Sequence, residues 1–118
     1  MPDGGVLGVR DLWLRVAVRE LPDLATALSL DALGPLDRLA SAERDRLLQT
    51  ARGYLDSGSV ATCAAELCCH RNTVLNRLRR VEQLTGLDLA RPADAALLGV
   101  ALAARELHDE SLCRQPGA

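Results

Sequence analysis

The sequence has almost no aromatic side chains, with one Trp, one Tyr and no Phe among 118 residues. Hydrophobic residues nevertheless make up 48% of the chain. Leucine and alanine, which favour helix, supply most of them, and the β-branched and aromatic residues that favour strands are sparse. The composition therefore predicts an all-α fold, and the length fits one small domain rather than two sizeable cores.

Long apolar runs are also missing. No uninterrupted stretch of about 18 apolar residues occurs, which excludes a membrane-spanning helix. The first five residues lack the basic and apolar regions of a signal peptide. We therefore expect a cytoplasmic protein with no membrane partner, in which the cysteines, Cys63, Cys68, Cys69 and Cys113, are free thiols.

The charge balance lacks the basic excess that is typical of nucleic-acid-binding domains. The formal net charge is −2, and every one of the 14 basic residues is an arginine. Residues 70–80, however, contain four arginines and no carboxylate. Such a basic stripe on an acidic body can still steer DNA to one face of a protein.

The segment 59–84 has the pattern of a helix-turn-helix. A short helix over 60–67 is followed by a turn of about four residues and by a longer helix from residue 71 or 72 to about residue 85. The two helices of this motif cross closely, so the first must offer small side chains at the contact. Ala64 and Ala65 are the residues we expect there.

Capping residues set the limits of these helices. Ser59 is predicted to cap the first helix of the motif, and Ser41 the helix before it, which Gly58 ends. We therefore expect an N-terminal helical segment over 1–40, acting as a linker or dimerisation element, and a helix-turn-helix domain over 41–110.

The second helix of the motif has one apolar and one polar face. At 100° per residue, Val74, Leu78 and Val81 point together toward a core. The opposite face carries Asn72, Asn76, Arg79 and Gln83. Asparagine and glutamine pair with adenine, and arginine pairs with guanine or binds phosphate. This face therefore predicts binding to double-stranded DNA.

We assign the candidate DNA-binding residues by their position on the helix. Residues near the helix N-terminus usually reach the bases, which selects Arg71, Asn72, Thr73 and Asn76. Arg79, Arg80 and the capped helix start at Ser59 are assigned to phosphate. Arg77 lies toward the core edge, and its alternative partner is Glu66 or a neighbour.

Several runs together resemble a known family. They are LLQTARGYL at 47–55, CAAEL at 63–67, HRNTV at 70–74, RL at 77–78 and LTGLDL at 84–89. They resemble the C-terminal helix-turn-helix domain of PucR-type transcription regulators, which include the carbohydrate diacid regulators. The resemblance covers about residues 44–103, with a weaker stretch over 11–36.

The resemblance implies a Fis-like DNA-binding unit at the end of a longer regulator, whose upstream sensory region responds to a metabolite. No such region is present here, so we expect no small-molecule effector on this chain. Arg71, Asn72, Thr73 and Arg77 match the family's motif. Positions 75 and 76 depart from it, because the family usually has a basic residue followed by Tyr where this chain has Leu75 and Asn76.

Two alternatives concern the motif's cysteines and histidine. Cys63, Cys68, Cys69 and His70 could bind zinc, but they lack the paired spacing of structural zinc sites, so small buried hydrophobic residues are the simpler interpretation for the cysteines. We expect no metal and no cofactor. An enzyme is disfavoured because neither His70 nor His108 has a candidate nucleophile or a glycine-rich phosphate loop beside it.

The competing function is a protein-interaction or dimerisation module that has the fold without DNA binding. Leu75, the acidic total charge and the absence of lysine favour it. For a DNA-binding protein we expect a homodimer, because two copies reading adjacent half-sites gain specificity. The helix containing Trp13 and the apolar last helix are candidate interfaces, and both could equally belong to the core of one chain.

Overall fold

A computed structural model describes the backbone of residues 9–114 and the side chains of residues 12–110. Within residues 9–114 there are six α-helices, one short 3-10 helix and no strand. The helices are α1 (Val9–Glu20), α2 (Pro22–Leu33), α3 (Ser41–Ser57), α4 (Val60–Glu66), α5 (Arg71–Thr85) and α6 (Pro92–Arg114), and the 3-10 helix is Gly34–Arg38. The predicted all-α fold is confirmed.

Proline and glycine set most of the helix limits. Pro22 is the first residue of α2, where its missing N–H costs nothing, and Pro92 has the same place in α6. Gly58 and Gly86 follow α3 and α5 with φ of 68° and 76°, a left-handed conformation that L side chains adopt only with strain.

One hydrophobic core joins five of the six helices. It contains Ala32, Leu33, Leu36, Leu47, Ala51, Cys63, Ala64, Val74, Leu78, Val81, Leu89, Leu98, Ala101 and Leu102, all buried. A smaller cluster of Val18, Ala25 and Ala103 attaches α1 and α2 to α6. The last helix packs against α1, α2 and α3, and α3 in turn packs against both helices of the helix-turn-helix.

The N-terminal segment is packed onto the rest of the chain. Leu33 and Leu36 precede residue 40, yet both are fully buried in the same core as Leu47 and Val74. The division at residue 40 into a linker or dimerisation segment and a separate domain stays a prediction. Residues 1–8 of that segment lie outside the described range.

The predicted N-cap at Ser41 is wrong. Ala40 occupies the cap position with extended backbone angles (φ −57°, ψ 144°), and no side chain accepts a cap hydrogen bond there. Ser41 is already the first helical residue. The helix begins one residue early because the carbonyl oxygen of Ala40 accepts a hydrogen bond from the Arg44 N–H at 2.9 Å.

None of the helices within residues 9–114 combines the length and the apolar composition that a membrane-spanning helix requires.

Candidate nucleic-acid interface

Helices α4 and α5 form the helix-turn-helix, and backbone hydrogen bonds fix the turn between them. The Cys69 N–H donates to the carbonyl oxygen of Ala64 at 3.0 Å, and the Cys68 N–H donates to that of Ala65 at 3.3 Å. This pair of bonds is a Schellman motif, which requires a left-handed residue after the helix. Cys68 takes that position with φ of 55°, where glycine is usual. The sequence does not indicate this motif, because cysteine is not a typical residue at the left-handed position.

The start of α4 is capped as predicted. The side chain of Ser59 accepts a hydrogen bond from the Thr62 N–H at 3.1 Å, and the backbone of Ser59 is extended. This bond satisfies one of the helix N–H groups that otherwise have no partner. Ser59 thereby fixes where α4 begins relative to α3.

Only one of the two predicted small residues lies at the helix contact. Ala64 is buried, whereas Ala65 is exposed, so its predicted contact is wrong. Beside Ala64, Cys63 is fully buried, and its thiol contacts α3 at Thr50. The inward side of α4 follows the spacing Val60, Cys63, Ala64, and residue 65 is rotated a further 100° away from it.

Helix α5 is oriented as its periodicity predicts. Val74 and Val81 are fully buried and Leu78 is 7% exposed. The opposite face is exposed at Asn72, Asn76, Arg79 and Gln83. The polar side of this helix is therefore not covered by the rest of the described chain.

The eight predicted site residues differ in exposure. Arg71, Asn72, Asn76, Arg79 and Arg80 are exposed, whereas Ser59, Thr73 and Arg77 are half-buried. All but Ser59 lie on α5. Of the five exposed residues, Arg71 and Asn72 lie at the N-terminal end of α5, and Asn76, Arg79 and Arg80 lie further along it.

Arg77 is engaged by a neighbouring helix. Its Nη1 donates to Oγ1 of Thr50 at 3.4 Å. Thr50 is fully buried, and its hydroxyl in turn donates to the carbonyl oxygen of Arg46 at 2.8 Å. The partner of Arg77 is thus a threonine of α3, and the contact ties α5 to α3.

Arg80 also has a partner within the chain. Its Nε lies 3.7 Å from Oε2 of Glu43, and the two side chains are 46% and 42% exposed. An ion pair that is this open to solvent is weak and is screened by salt. Arg80 can therefore exchange Glu43 for another anion.

Away from α5, Arg15, Arg44, Arg52 and Arg105 are paired with carboxylates, whereas Arg19, Arg38 and Arg91 are in no ion pair among the side chains of residues 12–110. Arg52 makes a two-bond pair with Glu106, with both distances 2.9 Å. Arg105 does the same with Asp37, at 2.9 and 3.0 Å. Among the side chains of residues 12–110, no ion pair involves Arg46, Arg71, Arg77 or Arg79. The unneutralised arginines on and beside α5 therefore form a local basic surface.

Arg46 is a functional candidate that the sequence analysis missed. It is exposed and lines one groove with Asn76, Arg77 and Arg80. The signal was the neighbouring Leu47, which is buried in the core shared with α5. Because successive residues of a helix are 100° apart, Arg46 lies beside the contact that Leu47 makes with α5.

The cysteines occupy three different environments. Cys63 is buried and donates to the carbonyl oxygen of Thr50 at 3.6 Å, Cys69 is half-buried, and Cys68 is exposed. Burial, followed by the neighbouring Cys69 and Glu66, raises the pKa of the Cys63 thiol above its ordinary value of 9.0. Within the described residues, no three His, Cys, Asp or Glu side chains are grouped to hold a metal ion. The side chain of Cys113 lies outside the described range.

Known proteins match the region that contains this surface. A family model for the PucR C-terminal helix-turn-helix domain matches residues 47–104. The chain is similar to the carbohydrate diacid regulator of Escherichia coli, with 36% identity over 104 residues, which is 86% of this chain and 26% of that protein. It is also 37% identical over 83 residues to an uncharacterized protein of Mycobacterium tuberculosis, covering 70% of this chain and 19% of that protein.

A third relative, an uncharacterized protein of Thermomonospora curvata, is 38% identical over 81 residues, or 68% of this chain and 44% of that protein. The chain thus spans less than half the length of each of these relatives. No solved structure gives a significant match.

Proposed function

Residues 47–104 belong to the PucR C-terminal helix-turn-helix domain family, and from that premise we propose that the chain binds specific sequences of double-stranded DNA. In this proposal it is the output domain of a PucR-type bacterial transcription regulator, acting in the cytoplasm by binding rather than by catalysis. The single observation that carries the proposal is the uncovered face of α5, where Asn72, Asn76 and Arg79 are exposed.

The chemistry of that face suits a major groove. The groove is about 12 Å wide and admits one α-helix. We assign Arg71, Asn72, Thr73 and Asn76 to the bases, because they lie in the first turns of α5. Arginine pairs with guanine through two hydrogen bonds, and asparagine pairs with adenine in the same way.

Phosphate contacts position the helix in the groove. We assign Arg79 and Arg80 to phosphate, together with the capped start of α4 at Ser59. Arg77 acts from inside the fold, because its contact with Thr50 holds α5 against α3. Its replacement should therefore disturb the orientation of α5 as well as its charge.

Salt dependence tests the proposal directly. A labelled duplex is first selected from a random pool by the purified chain, and binding is then titrated over a series of KCl concentrations. Each phosphate contact contributes about 0.9 to the slope of log K against log salt. We expect Arg79→Ala to reduce that slope by about one contact.

Arg19→Ala is the matched control, because Arg19 is exposed and carries the same charge. Since Arg19 lies on α1, sedimentation equilibrium first establishes that the variant has the oligomeric state of the wild-type chain. It should leave the slope unchanged. Binding that is insensitive to salt, or equal slopes for both variants, would remove the mechanism.

We further propose a homodimer, joined through α1 and α2. Five large apolar side chains of this region are 46% to 65% exposed: Trp13, Val16, Leu21, Leu24 and Leu30. A second copy would cover them and place two α5 helices on adjacent half-sites. Sedimentation equilibrium of the chain and of Leu24→Glu tests this, since the variant should shift to monomer. A wild-type chain that is monomeric with and without DNA would exclude the dimer.

The same apolar residues favour the competing function, a protein-interaction module without DNA binding. The two functions differ in one outcome. A module of that kind selects no duplex from the random pool, whereas the proposed regulator domain does.

A further inference from the structure

A groove runs between the beginning of α3 and the middle of α5. Its volume is about 490 Å³. The polar residues that line it are Glu43 and Arg46 from α3, and Asn76, Arg77 and Arg80 from α5. Three of these five side chains are arginines. The groove therefore adjoins the face that we propose for base reading and extends it with positive charge from a different helix.

The two flanks of α5 differ in chemistry. On one flank, Leu75 and Arg79 border a depression that Tyr54, Val60 and Glu82 also line. On the other flank, Arg77 and Arg80 border the groove that contains Arg46. A helix inserted in the major groove has one phosphate backbone along each flank. Each flank thus carries at least one arginine, and the flank with Arg77 and Arg80 is the one to which α3 adds a further arginine, Arg46.

The position of Arg46 relative to α5 is fixed by the interior of the protein. Its carbonyl oxygen accepts from the Thr50 hydroxyl at 2.8 Å, and the same hydroxyl accepts from Arg77 at 3.4 Å. Thr50 itself is fully buried. The backbone of Arg46 is therefore linked to α5 through the hydroxyl of Thr50, while its side chain is exposed beside the groove.

Glu43 supplies the opposing charge in this groove. It pairs with Arg80 at 3.7 Å, and Arg46 makes no ion pair among the side chains of residues 12–110. An approaching phosphate is thus attracted by Arg46 and has to displace the carboxylate of Glu43 from Arg80.

We infer that this groove is a second phosphate-binding site, in which Arg46 and Arg80 contact the DNA strand along that flank of α5 while Glu43 opposes the contact. The inference rests on the proposed DNA binding and adds a contact from α3, outside the helix-turn-helix. It assigns opposite effects to two neighbouring side chains of one helix.

Four variants of α3 test the site. Arg46→Gln should weaken binding to the selected duplex and reduce the salt slope by about 0.9, the value for one phosphate. Glu43→Gln should tighten binding. Arg44→Gln and Asp45→Asn are the matched controls, because each makes the same charge change at a position 200° further round the helix, where Arg44 pairs with Asp37 and Asp45. Both controls should leave the salt slope unchanged.

Neutral phosphate analogues locate the contact. Single methylphosphonate substitutions are placed along both strands of the selected duplex. One of them should weaken the wild-type chain and leave Arg46→Gln unaffected, since the variant has already lost that contact. Circular dichroism of each variant excludes a folding defect.

Different outcomes would overturn the second phosphate site and the proposed DNA binding. If Arg79→Ala reduces the salt slope while Arg46→Gln behaves like Arg44→Gln, the second site is overturned and the proposed function stands. If the wild-type chain binds no duplex, both are overturned.

Discussion

Replacing Gly53 by alanine should destabilise the protein, although alanine is the better helix former. Gly53 lies inside α3, where the exchange normally gains about 1 kcal/mol. An added Cβ, however, would stand 3.1 Å from Sγ of Cys63. Cys63 is fully buried, and its thiol is held by the carbonyl oxygen of Thr50. The sulfur therefore has little room to retreat.

The magnitude follows from two opposing terms. Overpacking a filled core costs about 1–3 kcal/mol, so a cost of about 2 outweighs the helix gain and leaves a net loss of about 1 kcal/mol. In a Cys63→Ala background the sulfur is gone and only the gain remains. Gly53→Ala should then stabilise by about 1 kcal/mol, which makes the coupling between the two positions about 2 kcal/mol.

Urea denaturation followed by far-ultraviolet circular dichroism measures all four proteins of this cycle. The comparison uses midpoints at unchanged slope, which isolates stability from changes in the unfolded state. A stabilising Gly53→Ala in the wild-type background would refute the reasoning, because it would mean that α3 and α4 are not in close contact at this position.

Three further variants probe the same region. Thr50→Val keeps the shape but removes the hydroxyl bonded to Arg77, and should cost about 1–3 kcal/mol in the same denaturation assay. Ser59→Ala removes the acceptor for the Thr62 N–H and should cost about 1 kcal/mol, seen as a lower thermal midpoint. Because burial raises the pKa of Cys63 above 9.0, the folded state holds the thiol proton more tightly than the unfolded state. Its contribution to stability is therefore complete below that pH and is lost as the pH rises further. Cys63→Ala should reduce the loss of stability seen above pH 9.0, and an identical loss in the variant would contradict this account.

Features that depend on adjacent residues could be predicted from the sequence. Gly58 and Gly86 end their helices because the conformation they adopt is open to glycine locally. The orientation of α5 was predictable for a similar reason, since Val74, Leu78 and Val81 fall on one side of any helix with this sequence. Neither feature requires knowledge of what the helix packs against.

Features that depend on the neighbouring helix could not be predicted in this way. The periodicity of α5 places Arg77 at the core edge but does not identify Thr50 as its partner, because Thr50 is 27 residues away in α3. The same applies to Arg80 and Glu43. The wrong prediction for Ala65 has this origin too, since small size qualifies a residue for a contact only when its direction on the helix also fits.

The formal charge of −2 does not weigh against DNA binding, because charges act locally in salt solution. At physiological ionic strength, exposed charges are largely screened beyond about 8 Å. Glu106, for example, is paired with Arg52 and adds little to the field at α5. On the exposed side of α5, Arg71 and Arg79 are in no ion pair within the described side chains. The net charge therefore influences the solubility of this chain, whereas the local placement of its arginines determines which charged partners it attracts.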